Sequence, residues 1–301
     1  MPLTPLLLVL LAALIHASWN LIAKKSGGDA RFAVLTCLTL AVVWAPLGAF
    51  MAWRDAGAYG TLQWALIVAS GVLHIVYYLC LLRGYRLGDL SVVYPLARGT
   101  GPLITALVAT SFMGESLRAL GWFGVAGIVG GTLLIAGGPA LLSRLRAQTD
   151  SVSEQARLRA GLAYGVLTGV FIGAYSLLDG YAVKHAAVSP ILLDYLGNLA
   201  RLPLLLGLML LTQREAVMSL PAYWRQMWKP ALLVGAISPV SYVMVLYAAT
   251  MAPLSQVAPA RELSMLFAAL LGGHLLGERD APIRLLGASF IALGVLLLTQ
   301  S

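Results

Sequence analysis

The sequence predicts an all-α membrane protein of ten transmembrane helices, arranged as two inverted five-helix repeats. Three observations carry that expectation. The chain is 60% hydrophobic and only 11% charged, where a soluble domain has roughly 25% charged residues. Apolar runs of about 20 residues, long enough to cross a hydrocarbon core of roughly 30 Å, recur from end to end. A cluster of Leu-Ser, Pro, Arg and Gly-Glu appears in both halves in the same order. Only helices or closed barrels satisfy the backbone in lipid. The runs are rich in Leu, Ala and Val and do not alternate polar with apolar, which selects helices over a barrel.

The expected spans follow from the runs and from the charge, Gly and Pro clusters between them. In the first half they cover Leu3 to Ala23, Phe32 to Trp53, Trp64 to Leu82, Leu90 to Phe112 and Trp122 to Leu142. A polar stretch from Ser143 to Arg159 separates the halves. The second half offers Gly161 to Val183, Ile191 to Leu211, Ala231 to Thr250, Leu254 to Leu276 and Pro282 to Leu298. The domain division expected is therefore 1–142, a linker 143–160, and 161–301. The first run lacks a basic leader and is no more apolar than the rest, so it reads as a span, not a signal peptide.

Basic residues mark the cytoplasmic side. Lys24, Lys25, Arg31, Arg83, Arg86, Arg144, Arg146, Arg157, Arg159, Arg214, Arg225, Lys229, Arg279 and Arg284 follow odd-numbered spans, whereas Arg54, Arg118 and Lys184 lie opposite. Both termini then face outward and the linker faces the cytoplasm. Tyr223, Trp224 and Trp228 beside basic residues read as a headgroup anchor or, alternatively, a docking surface. The net charge of +8 is spread over short loops and forms no nucleic-acid motif. Cys37 and Cys80 fall inside apolar runs and read as packing residues, not as a disulfide or metal pair.

The repeat is explicit. Gly88 to Arg98 (Gly-Asp-Leu-Ser-Val-Val-Tyr-Pro-Leu-Ala-Arg) leads to Gly114-Glu115, and Ala252 to Arg261 (Ala-Pro-Leu-Ser-Gln-Val-Ala-Pro-Ala-Arg) leads to Gly277-Glu278. Tyr78 and Tyr242 occupy matching places. With five spans per copy, the second copy is inverted relative to the first, an arrangement that places a site between the copies.

Ionisable side chains inside spans cost about 2.5–3.5 kcal/mol each at the bilayer centre and call for a reason. Arg98 and Arg261 each follow a Pro and lie roughly 10–12 Å in from their helix starts, from opposite faces. Gly99-Thr100-Gly101-Pro102 after Arg98 is expected to loosen its helix. The two arginines either pair with acids to hold helices together or grip an anionic group on a substrate, for which the planar guanidinium is suited. Glu262 points about 100° away from Arg261 around a helix; Asp179 and Asp194 are other acids within spans. Asp194, Asn198 and Arg201 share a helix face. His16 and His74 titrate near neutral pH and, with Asp179 and Glu262, are candidates for proton coupling or else packing residues; His274 reads as interfacial. Trp19, Asn20, Tyr77, Tyr78, Tyr94, Tyr175, Ser176 and Tyr242 are candidates to line a polar-aromatic cavity. Glu115 and Glu278 are expected to cap the next helix across a short turn.

These residues resemble the EamA family of the drug/metabolite transporter superfamily. The likeness rests on Gly88 to Arg98 with Gly114-Glu115, on their second copies, and on His16-Ala17-Ser18-Trp19-Asn20 followed by Lys24. It extends over length, span number and the two halves. The resemblance implies a secondary transporter, often an exporter of amino acids, other metabolites or toxic compounds, with a central cavity between the halves. The second half has no counterpart of His16 to Asn20 and offers Tyr175-Ser176 and Asp179 instead.

The expected function is export of a small polar metabolite, such as an amino acid or related carboxylate, by alternating access. Arg98 and Arg261 would hold the anionic group, and Trp19, Asn20, Tyr78, Tyr94, Tyr175 and Tyr242 would contribute to substrate binding. Two alternatives stay open: an exporter of cationic drugs or quaternary amines, and a non-transporting membrane partner subunit. No Gly-rich Lys-Ser/Thr phosphate loop, no His-Glu-x-x-His and no evident Ser/His/Asp set is present, so the expectation is a non-enzyme without cofactor or metal. Its surroundings are the bilayer of a bacterial inner (plasma) membrane, with a small-molecule substrate and no nucleic acid; the sequence leaves the oligomeric state open. In a background lacking Cys37 and Cys80, a cysteine placed in the Ser143 to Arg159 linker is expected to resist an impermeant thiol reagent in intact cells. Labelling there would reverse the assigned orientation.

Overall fold

The computed structural model describes residues 1–27, 29–136, 138, 152–268 and 281–301. Among them every regular element is helical. The helices are α1 (Leu3–Lys25), α2 (Ala30–Val43), α3 (Ala45–Asp55), α4 (Thr61–Leu87), α5 (Leu90–Phe112), α6 (Ala119–Ala136), α7 (Val152–Lys184), α8 (Pro190–Thr212), α9 (Arg214–Met218), α10 (Leu220–Met251), α11 (Leu254–Ala260) and α12 (Ala281–Thr299). Residues 263–268 are helical again after a turn. Seven helices are long and apolar enough to cross a membrane, and α2 with α3 adds an eighth as a bent pair. The expected ninth and tenth spans flank residues 269–280, outside the described residues, as do His274, Glu278, Arg279 and residues 143–151 of the linker.

Four boundaries differ from the expectation. The second span is two helices meeting at 61°. Pro46 sits in the first turn of α3, where its missing N–H breaks no helical bond. Trp44 spans the bend, its indole donating to the carbonyl of Ala236 at 3.1 Å. Residues 152–160, expected as linker, are the first turns of α7; they are mostly exposed, and Arg157 bonds Asp89 at 2.7 Å. The Tyr223 to Trp228 segment belongs to α10. Tyr223 turns inward under the Arg31 guanidinium, 4.1 Å from its ring centre, while Trp224 and Trp228 face outward.

The fourth difference concerns the prolines. α5 runs unbroken through Pro95 and Pro102, so the loosening expected there does not occur. Its partner breaks instead. After Pro259 the chain turns through Arg261-Glu262, with amides of Glu262, Ser264 and Met265 bonding carbonyls three residues back.

Helix pairing follows the repeat. α1 packs on α10 as α7 packs on α4, and α2 meets α10 as α8 meets α4. α6 lies against α12, α5 against α11, and α2 against α8. Small residues permit these close approaches. A Cβ on Gly124 of α6 would stand 2.6 Å from the carbonyl oxygen of Gly294 on α12, and the reverse holds for Gly294. Gly165 and Gly173 bring α7 onto Leu96 and Ile104 of α5, each leaving only 2.9 Å for a Cβ.

Glu115 does cap a helix, but not the next one. Its carboxylate accepts from the amides of Leu254 and Ser255, both at 2.8 Å, and so caps α11 in the other repeat. Lys184 donates to the same carboxylate at 3.2 Å and to the Ala252 carbonyl at 3.4 Å. Burial opposes charge on Glu115, but the amides of Ser255 and Leu254 and the ammonium of Lys184 outweigh it and hold its carboxyl below the ordinary 4.5. A depressed carboxyl stabilises the fold above its unfolded value and loses that contribution as pH falls through its folded one. Thermal unfolding in detergent should therefore show a fall in Tm on acidification below about pH 4.5. Glu115→Gln should lower Tm at neutral pH and flatten that acid limb.

Candidate functional site

The two arginines meet where the repeats face each other. Ala12, Ala13 and His16 of α1, Arg98 of α5, Ser241, Tyr242 and Val245 of α10, and Arg261 and Ser264 beyond α11 line one cavity. It leaves about 20 Å3 for solvent, room for a single water molecule. The helices thus fit closely around a polar centre.

The arginines are answered differently. Arg98 Nη2 lies 3.0 Å from Glu262 Oε2 and donates to Ser264 Oγ at 3.1 Å. The Glu262 contact is a charge pair off the N–H direction, so Glu262 Oε2 and Arg98 Nε are both left without a hydrogen-bond partner. Arg261 has no carboxylate within 4 Å among the described residues. It sits 5.6 Å from the centre of the Tyr242 ring and reaches Ser176 Oγ at 3.5 Å. The turn after Pro259 produces this division by sending neighbouring side chains apart, Glu262 toward α5 and Arg261 toward α7 and α10. A guanidinium needs donors satisfied in a plane, and Arg261 keeps most of that capacity unused.

A ring cluster adjoins the cavity. His74 stacks on Tyr175 with centroids 4.2 Å apart, and Tyr242 stands edge-on to both. Tyr77 lies 5.6 Å from Tyr175. His74 Nδ1 meets the Ser70 carbonyl at 2.8 Å; a carbonyl only accepts, so Nδ1 carries a hydrogen. Tyr242 donates its hydroxyl hydrogen to Asp179 Oδ2. Asp179 is fully buried and its Oδ1 has no partner.

Of the sequence-named residues, the structure gathers His16, Arg98, Tyr242 and Arg261 around the cavity, with Glu262, Tyr175, His74 and Asp179 directly behind. Trp19 reaches the rim, its indole donating to Ser241 at 3.4 Å. Tyr94 points its hydroxyl at Met265 Sδ, 3.5 Å away. Two residues are not brought in. Asn20 is exposed and donates to the His16 carbonyl of its own helix at 2.8 Å. Tyr78 packs against the Val34, Leu205 and Met209 cluster. Ser241 and Ser264 were not singled out from sequence; the signal was their place beside named residues, Ser241 next to Tyr242 and Ser264 three after Arg261. Asp194 and Arg201 pair at 3.5 Å, as their spacing implied. Asn198 between them donates to the Cys37 carbonyl at 3.0 Å. That stripe stands apart from the cavity.

Removing Glu262 leaves Arg98 as an unanswered buried cation, a change that costs of order 3–5 kcal/mol. Glu262→Ala should therefore lower Tm in detergent markedly. The double variant Arg98→Met/Glu262→Met should recover most of the loss; equal destabilisation of single and double variants would refute the pairing.

Comparison with known proteins agrees with this architecture. The chain matches the EamA-like transporter family twice, over residues 3–137 and 159–300. A protein of a Sinorhizobium species, named as an uncharacterized transporter in the cobO 3′ region, is 31% identical over 110 residues, 36% of this chain and 77% of that protein. A solved structure, described as a crystal structure of a protein, superimposes with a TM-score of 0.72 over 100% of this chain and 98% of its own, at 17% identity. That last likeness is one of fold alone.

Proposed function

The chain belongs to the EamA-like transporter family, and on that premise we propose that it is a secondary transporter that exports small polar carboxylates, amino acids or their relatives, by alternating access. The observation that carries this reading is Arg261: a guanidinium lining the inter-repeat cavity, with a ring face and a hydroxyl beside it and no carboxylate within 4 Å among the described residues. A carboxylate cargo supplies what is missing, in two-pronged geometry. Arg98 contributes to the same anion by exchanging part of its contact with Glu262. Tyr242, Tyr175, Tyr94 and Trp19 shape the cavity walls. The moving units are the repeats, 1–142 and 161–301, joined by the segment between them, and His16, His74, Asp179 or Glu262 couples the cycle to protons.

A second reading has its own observation. Asp179 Oδ1, unpartnered beside the rings of Tyr175, Tyr242 and His74, is a place for a cationic drug or quaternary amine. Against it, the adjoining cavity holds two arginines and one closely paired carboxylate.

The two readings separate in a thermal-shift screen of purified protein against the common amino acids, mono- and dicarboxylates and quaternary amines. The expected result is stabilisation by a carboxylate through linkage, weakened roughly 10–100-fold in Arg261→Ala. In proteoliposomes Arg261→Ala should abolish transport while remaining inserted and folded; Arg98→Ala should abolish it too, with a lower Tm because Glu262 loses its counter-charge. Stabilisation by amines alone, unchanged in Arg261→Ala, would establish the second reading in its place.

A further inference from the structure

Asp179 is placed to do more than hold Tyr242. It lies on α7 five residues before the helix ends at Lys184 and is fully buried. One of its oxygens accepts from Tyr242 and the other is unpartnered. The titratable and charged groups around it come from every neighbouring element. Tyr242 of α10 bonds it directly, His74 of α4 and Tyr175 of its own helix stand against the Tyr242 ring, and Asp194 and Arg201 of α8 lie within electrostatic reach. Across the Tyr242 ring stand Arg261 and Glu262 from the turn after α11, and Arg98 from α5.

Asp194 and Arg201 cancel each other. What is left is Arg98 and Arg261 against Glu262 and Asp179. With Asp179 ionised the set is neutral. With Asp179 protonated it carries one positive charge, and a bound carboxylate makes it neutral again. Uncompensated charge in this interior is expensive, so the two neutral forms are favoured: empty with Asp179 ionised, or loaded with Asp179 protonated. Tyr242 connects the two positions physically, its hydroxyl on Asp179 and its ring beside Arg261.

We propose that Asp179 is the proton site of the transport cycle, taking up one proton with each carboxylate bound at Arg261, with Tyr242 as the positioning residue between them. The proton bonds to the free Oδ1 and the Tyr242 hydroxyl keeps its bond to Oδ2. Proton and monocarboxylate anion then cross together in the same direction without moving net charge, whereas an amino-acid zwitterion crossing with the proton moves one positive charge. This rests on the carboxylate reading above and adds to it the coupling ion and the stoichiometry.

Calorimetry in sodium-free buffers of differing ionisation enthalpy tests it, using as probe the carboxylate that gives the largest shift in the screen. The wild type should take up about one proton per carboxylate, with Kd tightening by up to about tenfold per pH unit of acidification. Asp179→Asn should bind the probe with no proton uptake and no pH dependence. Tyr242→Phe, which keeps the ring and removes the donor, should move the midpoint of the pH profile; that shift decides the matter if Asp179→Asn does not fold. Proton uptake persisting in Asp179→Asn, an unmoved profile in Tyr242→Phe, or a requirement for sodium would overturn the assignment of Asp179. Carboxylate binding that depends on Arg261 but takes up no proton would overturn it while leaving the carboxylate reading intact. No carboxylate or amino acid shifting the wild type would overturn the reading beneath it.

Discussion

A guanidinium inside a hydrocarbon slab must be answered by an anion or by polar groups, and that requirement organises the centre of this protein. Arg98 comes from the first repeat and Glu262 from the second, so their 3.0 Å contact joins the two halves deep inside the bundle. The same constraint leaves its mark where it is met only in part. Arg261 has a ring and a hydroxyl for company, and the carboxylates in its neighbourhood are Glu262, already paired with Arg98, and Asp179 on the far side of Tyr242. Around this polar centre the walls are apolar and tightly fitted, with alanines of α1 and Val245 of α10 facing the charges.

The backbone makes the division of labour possible. Both repeats bring a Pro shortly before the arginine, yet the outcomes differ. α5 stays helical through two prolines, held on one side by the glycine face of α7. α11 ends after seven residues, and the tight turn that follows splays two neighbouring side chains toward different partners. A proline removes one amide donor wherever it sits; whether the helix tolerates that depends on what surrounds it. Glu115 supplies part of the answer for α11. By capping its first amides from the opposite repeat, it holds in place a helix too short to be stable alone.

Much of this was legible in the sequence. α5 begins and ends where charge and Gly clusters place it, the repeated Leu-Ser-Pro-Arg motif marks the two arginine helices, and i, i+7 spacing identifies the Asp194–Arg201 pair. These are local signals. What escaped was either long-range or a matter of environment. The Arg98–Glu262 and Glu115–Leu254 contacts join residues more than 130 positions apart, and no spacing rule reaches that far. Asn20 and Tyr78 have the right chemistry for a cavity, but helix rotation turns one outward and buries the other among aliphatic side chains. Residues 152–160 looked like a linker because they are polar; a helix end in water tolerates polarity on every side, and hydropathy cannot distinguish the two. Pro46 sits in an otherwise continuous apolar run, and hydropathy averages over the bend it starts.

The Arg98–Glu262 pair also bears on what the protein does between cargoes. An arginine whose counter-ion belongs to the opposite repeat stays compensated whether or not anything is bound. In the proposed cycle, the empty protein therefore does not strand this cation in lipid as its halves rearrange. Such a carrier is free to return unladen, and net flux then follows the combined gradients of cargo and proton. A carrier whose arginines relied on cargo for every counter-charge would be confined to swapping one molecule for another.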